Sequence, residues 1–529
     1  MTTQRQNPLQ RLESAFRHWN LPLAFATLDQ KARFLSHLDP ADPDSTAWLM
    51  ALAQAVDLGY RSIDFLEACR SPFAAVDPAA MRFLDLLRLR MVDAFQCLSR
   101  ENLAEAIRLL DTVLHAGADV MSPELLFAAH FWKARAHRKQ GEYEAALVHV
   151  REACDHARQC EAPRLLAAAR VHESWLLFQK GERRPAWRLL EEAERELAPS
   201  GHALTLGNIE SARGRFVRRS GDYAQALAHF ERAIRIYAKG FANHPNCARA
   251  LVNAAYVKRL IALDIQARSK GKPARGSTHA RYLAIYQDAL HLLAQAGEIY
   301  ELHHHHTGIG AVLVNAGHLH LESGGIEQAA LEGQRAFQLG EQKRDPILMA
   351  RARILQSAAE LAHAEEDLDE ETGAASRAAM AVAFCDEAIE LATHTQNKRL
   401  IAAACIARGH AAASDFFQDW ESARTCITRA GELLSQDDRD HLPRELTALK
   451  VKVLHATGID QTLRQWSEGQ VGRKTFRQIQ EEFAEIVIPR VWIAQGRNIT
   501  RVAQQLSISP KKVRRILRNV ALHEKAPDA

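Results

Sequence analysis

The segment "GDYAQALAHFERAI" at 221–234 has three evenly spaced relatives in the same chain: "GERRPAWRLLEEAE" from 181, "GEYEAALVHVREAC" from 141 and "ENLAEAIRLLDTVL" from 101. In register, the first residues are Glu101, Gly141, Gly181 and Gly221, and two further on stand Leu103, Tyr143, Arg183 and Tyr223. Five on, every unit has alanine: Ala106, Ala146, Ala186, Ala226. Nine on are Leu110, Val150, Leu190 and Phe230; twelve on are Val113, Ala153, Ala193 and Ala233. Steps of four and three between these positions are helical periodicity. Small residues at fixed places let a second helix come close, and glycine at the head of each unit permits a tight turn out of the preceding helix. Each unit therefore reads as a helix, a turn and a second helix whose alanines nest against the first. A chain with this pattern is all-α.

The pattern resembles the tetratricopeptide repeat (TPR), whose usual period is about 34 residues. Gly214, Gly221, Tyr223, Ala226, Phe230 and Ala233 carry the likeness best. A second copy is Gly317, Gly324, Ile326, Ala329 and Ala336, and a degenerate one is Trp420, Ala423, Ile427 and Ala430. The proline that often closes such a unit is mostly missing, and the wider spacing from 101 to 141, 181 and 221 means longer helices, as in the sensor arrays of MalT-like regulators. The expected fold is a TPR-like superhelical array of helix pairs followed by a small helix-turn-helix domain. The expected boundaries are a helical cap over 1–90, the array over 91–456, a linker over 457–473 and the terminal domain over 474–529. "ARSKGKPARGS" (267–277) and "AEEDLDEETG" (364–373) read as solvated loops.

Stacked helix pairs leave a groove lined by the first helix of each pair, and such grooves hold peptides or other helices. In the 141 repeat the groove positions include Phe131, Arg135 and Arg138; in the 221 repeat they include Asn208, Ser211, Arg215 and Arg218. Arginines recurring in this way suit a carboxylate or phosphate, although solvated surface arginines satisfy the pattern equally. The Lys/Asn carboxylate clamp of chaperone-binding TPR domains is not reproduced. The partner expected here is a peptide or protein.

Net charge is +4, but its distribution is uneven. From Arg473 onward there are 12 Lys/Arg against 5 Asp/Glu, an excess of +7, which leaves −3 for the rest. The cationic end points to an anionic partner. Its sequence has the punctuation of short helices. Phe476, Ile479, Phe483, Ile486 and Val487 form an apolar stripe, and Pro489 is expected to kink or restart that helix. Asn498 is placed to cap "ITRVAQQL", and Ser509 with Pro510 opens a last helix. There Val513, Ile516, Leu517 and Val520 face inward and Lys511, Lys512, Arg514, Arg515 and Arg518 outward.

"GRNITRVAQQLSISPKKVRRILRNVAL" resembles the Fis-type helix-turn-helix that ends NtrC-type activators. Gly496, Asn498, Ile499, Ala503, Leu506, Ile508, Ser509 and Leu517 fall on that pattern; Ser507 stands at its turn glycine, Val502 at its first alanine and Pro510 where a basic residue is common. The resemblance implies double-stranded DNA as partner and a homodimer paired through the helix at 474–488. Lys511, Lys512 and Arg515 are expected at base edges, with Thr500 and Arg501 on phosphates. Ser509, Arg514 and Arg518 complete the expected DNA face.

The function expected from the two ends together is a transcriptional regulator whose array senses a peptide or protein and whose terminal domain reads DNA. The alternative is a TPR scaffold or adaptor whose basic end docks a protein or RNA. No enzyme is expected: GxxxxGK[ST], HExxH, GxSxG and GxGxxG are all missing. No cofactor is expected either. In "HHHH" (303–306) only His303 with His306, or pairs four apart, would share an ion on a helix, so a polar helix start is the preferred reading and no metal is expected. The longest apolar run is "LIAAACIA" at 400–407. It is far below the roughly 20 residues a bilayer needs. Eight scattered cysteines without a CxxC pair suit a reducing compartment, and the protein is expected to be cytoplasmic.

Overall fold

The computed structural model describes residues 7–17, 20–197, 203–269, 276–366, 371–395, 397–435, 437–456, 466, 469, 471–472 and 474–520. Most of the expected linker at 457–473 and the middles of the two expected loops lie outside them. The described chain is all-α, and its helices pack as consecutive pairs in a TPR-like array. It divides into two compact units, Met1–Arg218 with Asp222–Asn315, and Arg219–Gly221 with Ala316–Ala529.

The first unit opens with short helices α1 (Pro8–Arg17), α2 (Leu21–Gln30), α3 (Ala32–Leu35), α4 (Ser45–Asp57) and α5 (Ile63–Arg70). Helix α4 is buried on nearly every side, from Ser45 to Ala53, and packs on α6 (Phe83–Ser99). Then come the repeats: α7 (Leu103–Gly117), α8 (Pro123–Gln140), α9 (Tyr143–Gln159), α10 (Pro163–Gln179), α11 (Arg183–Leu197), α12 (Ala203–Arg219) and α13 (Tyr223–Tyr237), followed by the longer pair α14 (Pro245–Ser269) and α15 (Gly276–Leu302).

The register is visible in burial. The alanines at 106, 146, 186 and 226, the large residues at 110, 150, 190 and 230, and the residues at 113, 153, 193 and 233 are all fully buried. Each large side chain taken out of water contributes roughly 1.5–3 kcal/mol. The turn position has positive φ in every unit: 62° at Glu101, 88° at Gly141, 90° at Gly181 and 85° at Gly221. Glycine adopts this conformation freely, whereas other residues are strained in it. On α12, a Cβ added at Gly214 would sit 2.9 Å from the Phe230 ring, which is why that crossing needs glycine.

Helix α16 (His306–Glu322) carries the boundary between the units within it. The second unit continues with α17 (Ile326–Lys343), α18 (Pro346–Glu366), α19 (Glu371–His394), α20 (Lys398–Ala412), α21 (Trp420–Leu433) and α22 (His441–Ala456). Ala329, Ala336, Ala423 and Ala430 are fully buried, so the weaker copies use the same contacts. Three last helices follow: α23 (Phe476–Ala494), α24 (Ile499–Gln505) and α25 (Pro510–Asn519). Their core joins Ile488, Trp492, Val502, Ala503, Val513, Ile516, Leu517 and Val520.

Helix α23 runs unbroken through Pro489, so of the kink or restart expected there the restart does not occur. A capping box of Thr475 and Gln478 holds its start, and Ile488, Pro489 and Trp492 are all buried on the far side of the lost hydrogen bond. Burial and capping together outweigh one missing N–H. All eight cysteines are free. Among the described residues no helix is long and apolar enough to cross a membrane.

Candidate functional site

Two places in the molecule gather charge that the described chain does not neutralise. The first is a cavity of about 640 Å³ within the first unit. Helices α8, α10, α12 and α14 contribute Phe131, Arg135, Arg138, Trp175, Asn208, Arg215 and Arg249 to its wall, and α4 closes part of it with Asp57.

Five of the seven residues expected along a groove therefore share one cavity: Phe131, Arg135, Arg138, Asn208 and Arg215. Arg218 is not among the lining residues; its guanidinium donates to Asn253 Oδ1 at 2.9 Å and stacks over Tyr256. Ser211, also expected there, is buried and lies outside the lining. The arginines differ in how they are paired. Arg135 forms an ion pair with Asp57, whose other carboxylate oxygen accepts from Trp132 Nε1 at 2.9 Å. Lys139 donates to Glu101 at 2.9 Å. Arg215 lies 4.1 Å over the Trp175 ring, and its Nε donates to the Ser211 carbonyl at 3.3 Å. Arg249 donates to Asn246 Oδ1 at 2.8 Å, but among the described residues its buried Nε has no partner; nor has the Nε of Arg138.

Burial and the neighbouring Arg249 and Arg135 push the Arg138 guanidinium down to about 10. Arg215 is driven well below its ordinary range by burial, then by Arg249, Arg138 and Arg218. His172, half-buried on the cavity wall among the same arginines, is held well below 6.5 by burial and by Arg138, Arg135, Arg249 and Arg215, and stays neutral. His244 is pushed down to about 3 by burial, His303 and Arg249. The cavity is thus a cationic chamber with neutral imidazoles and aromatic walls.

Trp175, His172 and Arg249 were not expected as site residues. Trp175 stands midway in sequence between Arg135 and Arg215, one repeat from each, so extending the register to the 181 repeat finds it. Arg249 sits on the longer helix α14, where that register no longer applies.

The histidine run does not lie in one helix. Helix α15 ends at Leu302, His304 has a φ of 48°, and only His306 begins α16. His303 donates to the Asn243 carbonyl at 2.7 Å, His305 Nδ1 accepts from the Gly308 N–H, and His306 Nε2 lies 2.8 Å from Glu101. These three point to different partners, and the reading as a polar helix start fits His306 alone.

The second place is the outer face of α24 and α25. Asn498 accepts from the Arg501 N–H at 3.1 Å, and Ser509 accepts from the Lys512 N–H at 3.2 Å, with Pro510 at the first helical position. Thr500, Arg501, Ser509, Lys511, Lys512, Arg514, Arg515 and Arg518 are all exposed. None of Lys511, Lys512, Arg514, Arg515 and Arg518 is ion-paired with a described residue. Val513, Ile516 and Leu517 anchor the opposite side, so the five cations are fixed on one rigid surface. Ser507 takes a φ of 51° at the turn before Ser509. Along α23, Phe476 and Phe483 are 74% and 45% exposed, so the expected apolar stripe is only partly covered.

The tetratricopeptide repeat family model matches residues 205–269, the span of α12, α13 and α14. No curated protein matches the chain. Among solved structures, a Rap protein complexed with competence and sporulation factor shares 13% identity with a TM-score of 0.47, covering 77% of this chain and 98% of that one. The apo quorum sensor NprR of B. thuringiensis shares 10% with a TM-score of 0.47, covering 71% and 97%. The human IFIT1 dimer with m7Gppp-AAAA shares 11% with a TM-score of 0.44, covering 82% and 90%.

Proposed function

We propose that the chain is a ligand-responsive, DNA-binding regulator of transcription with no catalytic role. The three terminal helices form a Fis-type helix-turn-helix that grips double-stranded DNA, and the cavity of the first unit receives the signal. The observation that carries this reading is the surface of α25: Lys511, Lys512, Arg514, Arg515 and Arg518 lie on one exposed face, with no described carboxylate paired to them. Five like charges so close in sequence repel one another unless an anion neutralises them, and a duplex presents one phosphate charge per ~1.7 Å of its axis. Pro510 and the Ser509 cap set the helix start, so Lys511, Lys512 and Arg515 reach the major-groove edge while Thr500 and Arg501 contact backbone phosphates. The exposed face of Phe476 and Phe483 on α23 suits pairing with a second copy, which would match a two-fold DNA site. The site of action is then the cytoplasm.

The test is a gel shift of the full chain on DNA fragments recovered by crosslinking and sequencing. Retention of defined fragments, lost in a Lys511→Ala, Lys512→Ala, Arg515→Ala triple variant that still folds, supports the reading; retention unchanged by the triple substitution removes it. The repeated helix pairs favour a second reading, a protein-interaction scaffold whose basic end docks a protein or RNA. It predicts capture of single-stranded RNA or a protein by the same face with no preference for duplex.

A further inference from the structure

The cavity's charge is not balanced by its own walls, and the pattern of pairing says which charges are left over. Arg135 is neutralised by Asp57, and Lys139 by Glu101. Arg61 and Arg88, which also line the space, pair with Asp29 and Asp85. Among the described residues, three lining guanidinium groups remain without a carboxylate, those of Arg138, Arg215 and Arg249. They come from α8, α12 and α14, three of the four first helices that wall the chamber, and converge on it with His172 among them. Among the described residues, Arg138 and Arg249 each keep a buried Nε with no acceptor. A buried donor left unmade costs free energy. Burial and mutual repulsion depress Arg138 and Arg215, so each arginine disfavours its neighbours' charge. A fold selected only for stability has no use for such a cluster.

We propose that this chamber binds a small organic phosphate, held by Arg138, Arg215 and Arg249 with its body against Trp175 and Phe131. The inference rests on the cavity being the receptor site of the regulator proposed above and names the chemistry of its ligand. Charge decides between anions. A carboxylate offers one negative charge to three positive ones, whereas a phosphate monoester offers about 1.5–2 and a diphosphate more. Guanidinium forks match phosphate oxygens bidentately, and the two orphaned Nε–H groups are the donors such forks use. A neutral His172 can donate one further N–H without adding charge. The chamber volume of about 640 Å³ is in the range of small-molecule sites, and part of the wall is aromatic, so the ligand is larger than the inorganic ion.

The experiment is thermal unfolding and isothermal titration of the full chain with inorganic pyrophosphate, then with a panel of nucleoside monophosphates and sugar phosphates, against acetate and a C-terminal tripeptide carboxylate at equal ionic strength. Pyrophosphate and at least one organic phosphate are expected to raise the unfolding temperature, and the carboxylates to leave it unchanged. Arg138→Met and Arg249→Met are each expected to weaken phosphate binding about 10- to 100-fold. Because each removes a cation from a repelling cluster, both variants should unfold no earlier than the parent without ligand, which separates lost binding from lost fold. The Lys511→Ala, Lys512→Ala, Arg515→Ala variant should keep the full phosphate response. The proposal is overturned if phosphates produce no shift, if carboxylates match them, or if the response survives in Arg138→Met and vanishes in the triple variant. Those results would leave the DNA gel shift untouched, so failure of the ligand chemistry and failure of the regulatory reading are separable.

Discussion

Glu101 and Ser507 are two non-glycine residues held at positive φ, 62° and 51°, at turns where the repeat or the motif ordinarily has glycine. Replacing either by glycine removes backbone strain of roughly 1 kcal/mol, yet the two substitutions should act in opposite directions. The Ser507 side chain is exposed, so Ser507→Gly should stabilise the terminal helices by about 1 kcal/mol. Glu101 accepts from Lys139 Nζ at 2.9 Å and from Thr307 Oγ1 at 2.6 Å, and lies 2.8 Å from His306 Nε2. Burial alone would raise its carboxyl, but the His306 hydrogen bond and the Lys139 charge hold it well below the usual range. Removing one partner of such a buried group costs about 3–5 kcal/mol. Partial solvent access reduces this, and strain relief returns about 1 kcal/mol, leaving Glu101→Gly destabilised by about 2 kcal/mol. Thermal unfolding of the full chain, with hydrogen exchange of the amides at 98–106 and 136–140, measures it: exchange there should accelerate. A Glu101→Gly protein as stable as the parent would refute the claim that the carboxylate, and not the turn, holds this junction.

Other perturbations follow from the same contacts. Gly214→Ala gains up to about 1 kcal/mol of helix propensity, but places a methyl 2.9 Å from the fully buried Phe230 ring. A net loss of about 1 kcal/mol is expected by chemical denaturation, as for overpacked cores. Acid should unfold the first unit early. Burial and neighbouring imidazoles push His130 down to about 4, burial and Lys133 do the same for His149, burial and Lys139 for His305, and burial and His303 take His244 to about 3. The unfolded chain binds protons below pH ~6.5 that these imidazoles refuse when folded. Stability is therefore full above that pH and falls toward pH ~4, by up to about 1.4 kcal/mol per pH unit for the enclosed His244 and His305. The partly open His130 and His149 contribute less, because solvent screens them. Denaturation midpoints that stay level between pH ~7 and ~5 would contradict this.

The helix pairs are legible because the repeat restates its chemistry at each turn of the array, and chemistry set by packing survives in sequence: the alanines at 106, 146, 186 and 226 are all sealed between helices. The caps at Asn498 and Ser509 are legible for a similar reason, since each is a local interaction. Pro489 misleads because its cost is local while its compensation, the burial of Ile488 and Trp492, comes from α24 and α25. The cavity is half legible. Arg135, Arg138 and Arg215 follow from the register, but the pairing that separates neutralised from unneutralised arginines depends on Asp57, which is 78 residues from Arg135. Arg249 and His172 gain their meaning only from convergence in space, which no period announces.

The most direct test of the account is the salt dependence of binding to a duplex recovered from crosslinking, followed by fluorescence anisotropy. Arg501 on the backbone phosphates, with Arg514 and Arg518 on the same exposed surface and outside the base-edge set, predicts a slope of log K against log salt of about −3 for each engaged module, nearly lost in an Arg501→Ala, Arg514→Ala, Arg518→Ala variant. A shallow slope in the parent chain, or an equal slope in the variant, would contradict a DNA-gripping face on α25.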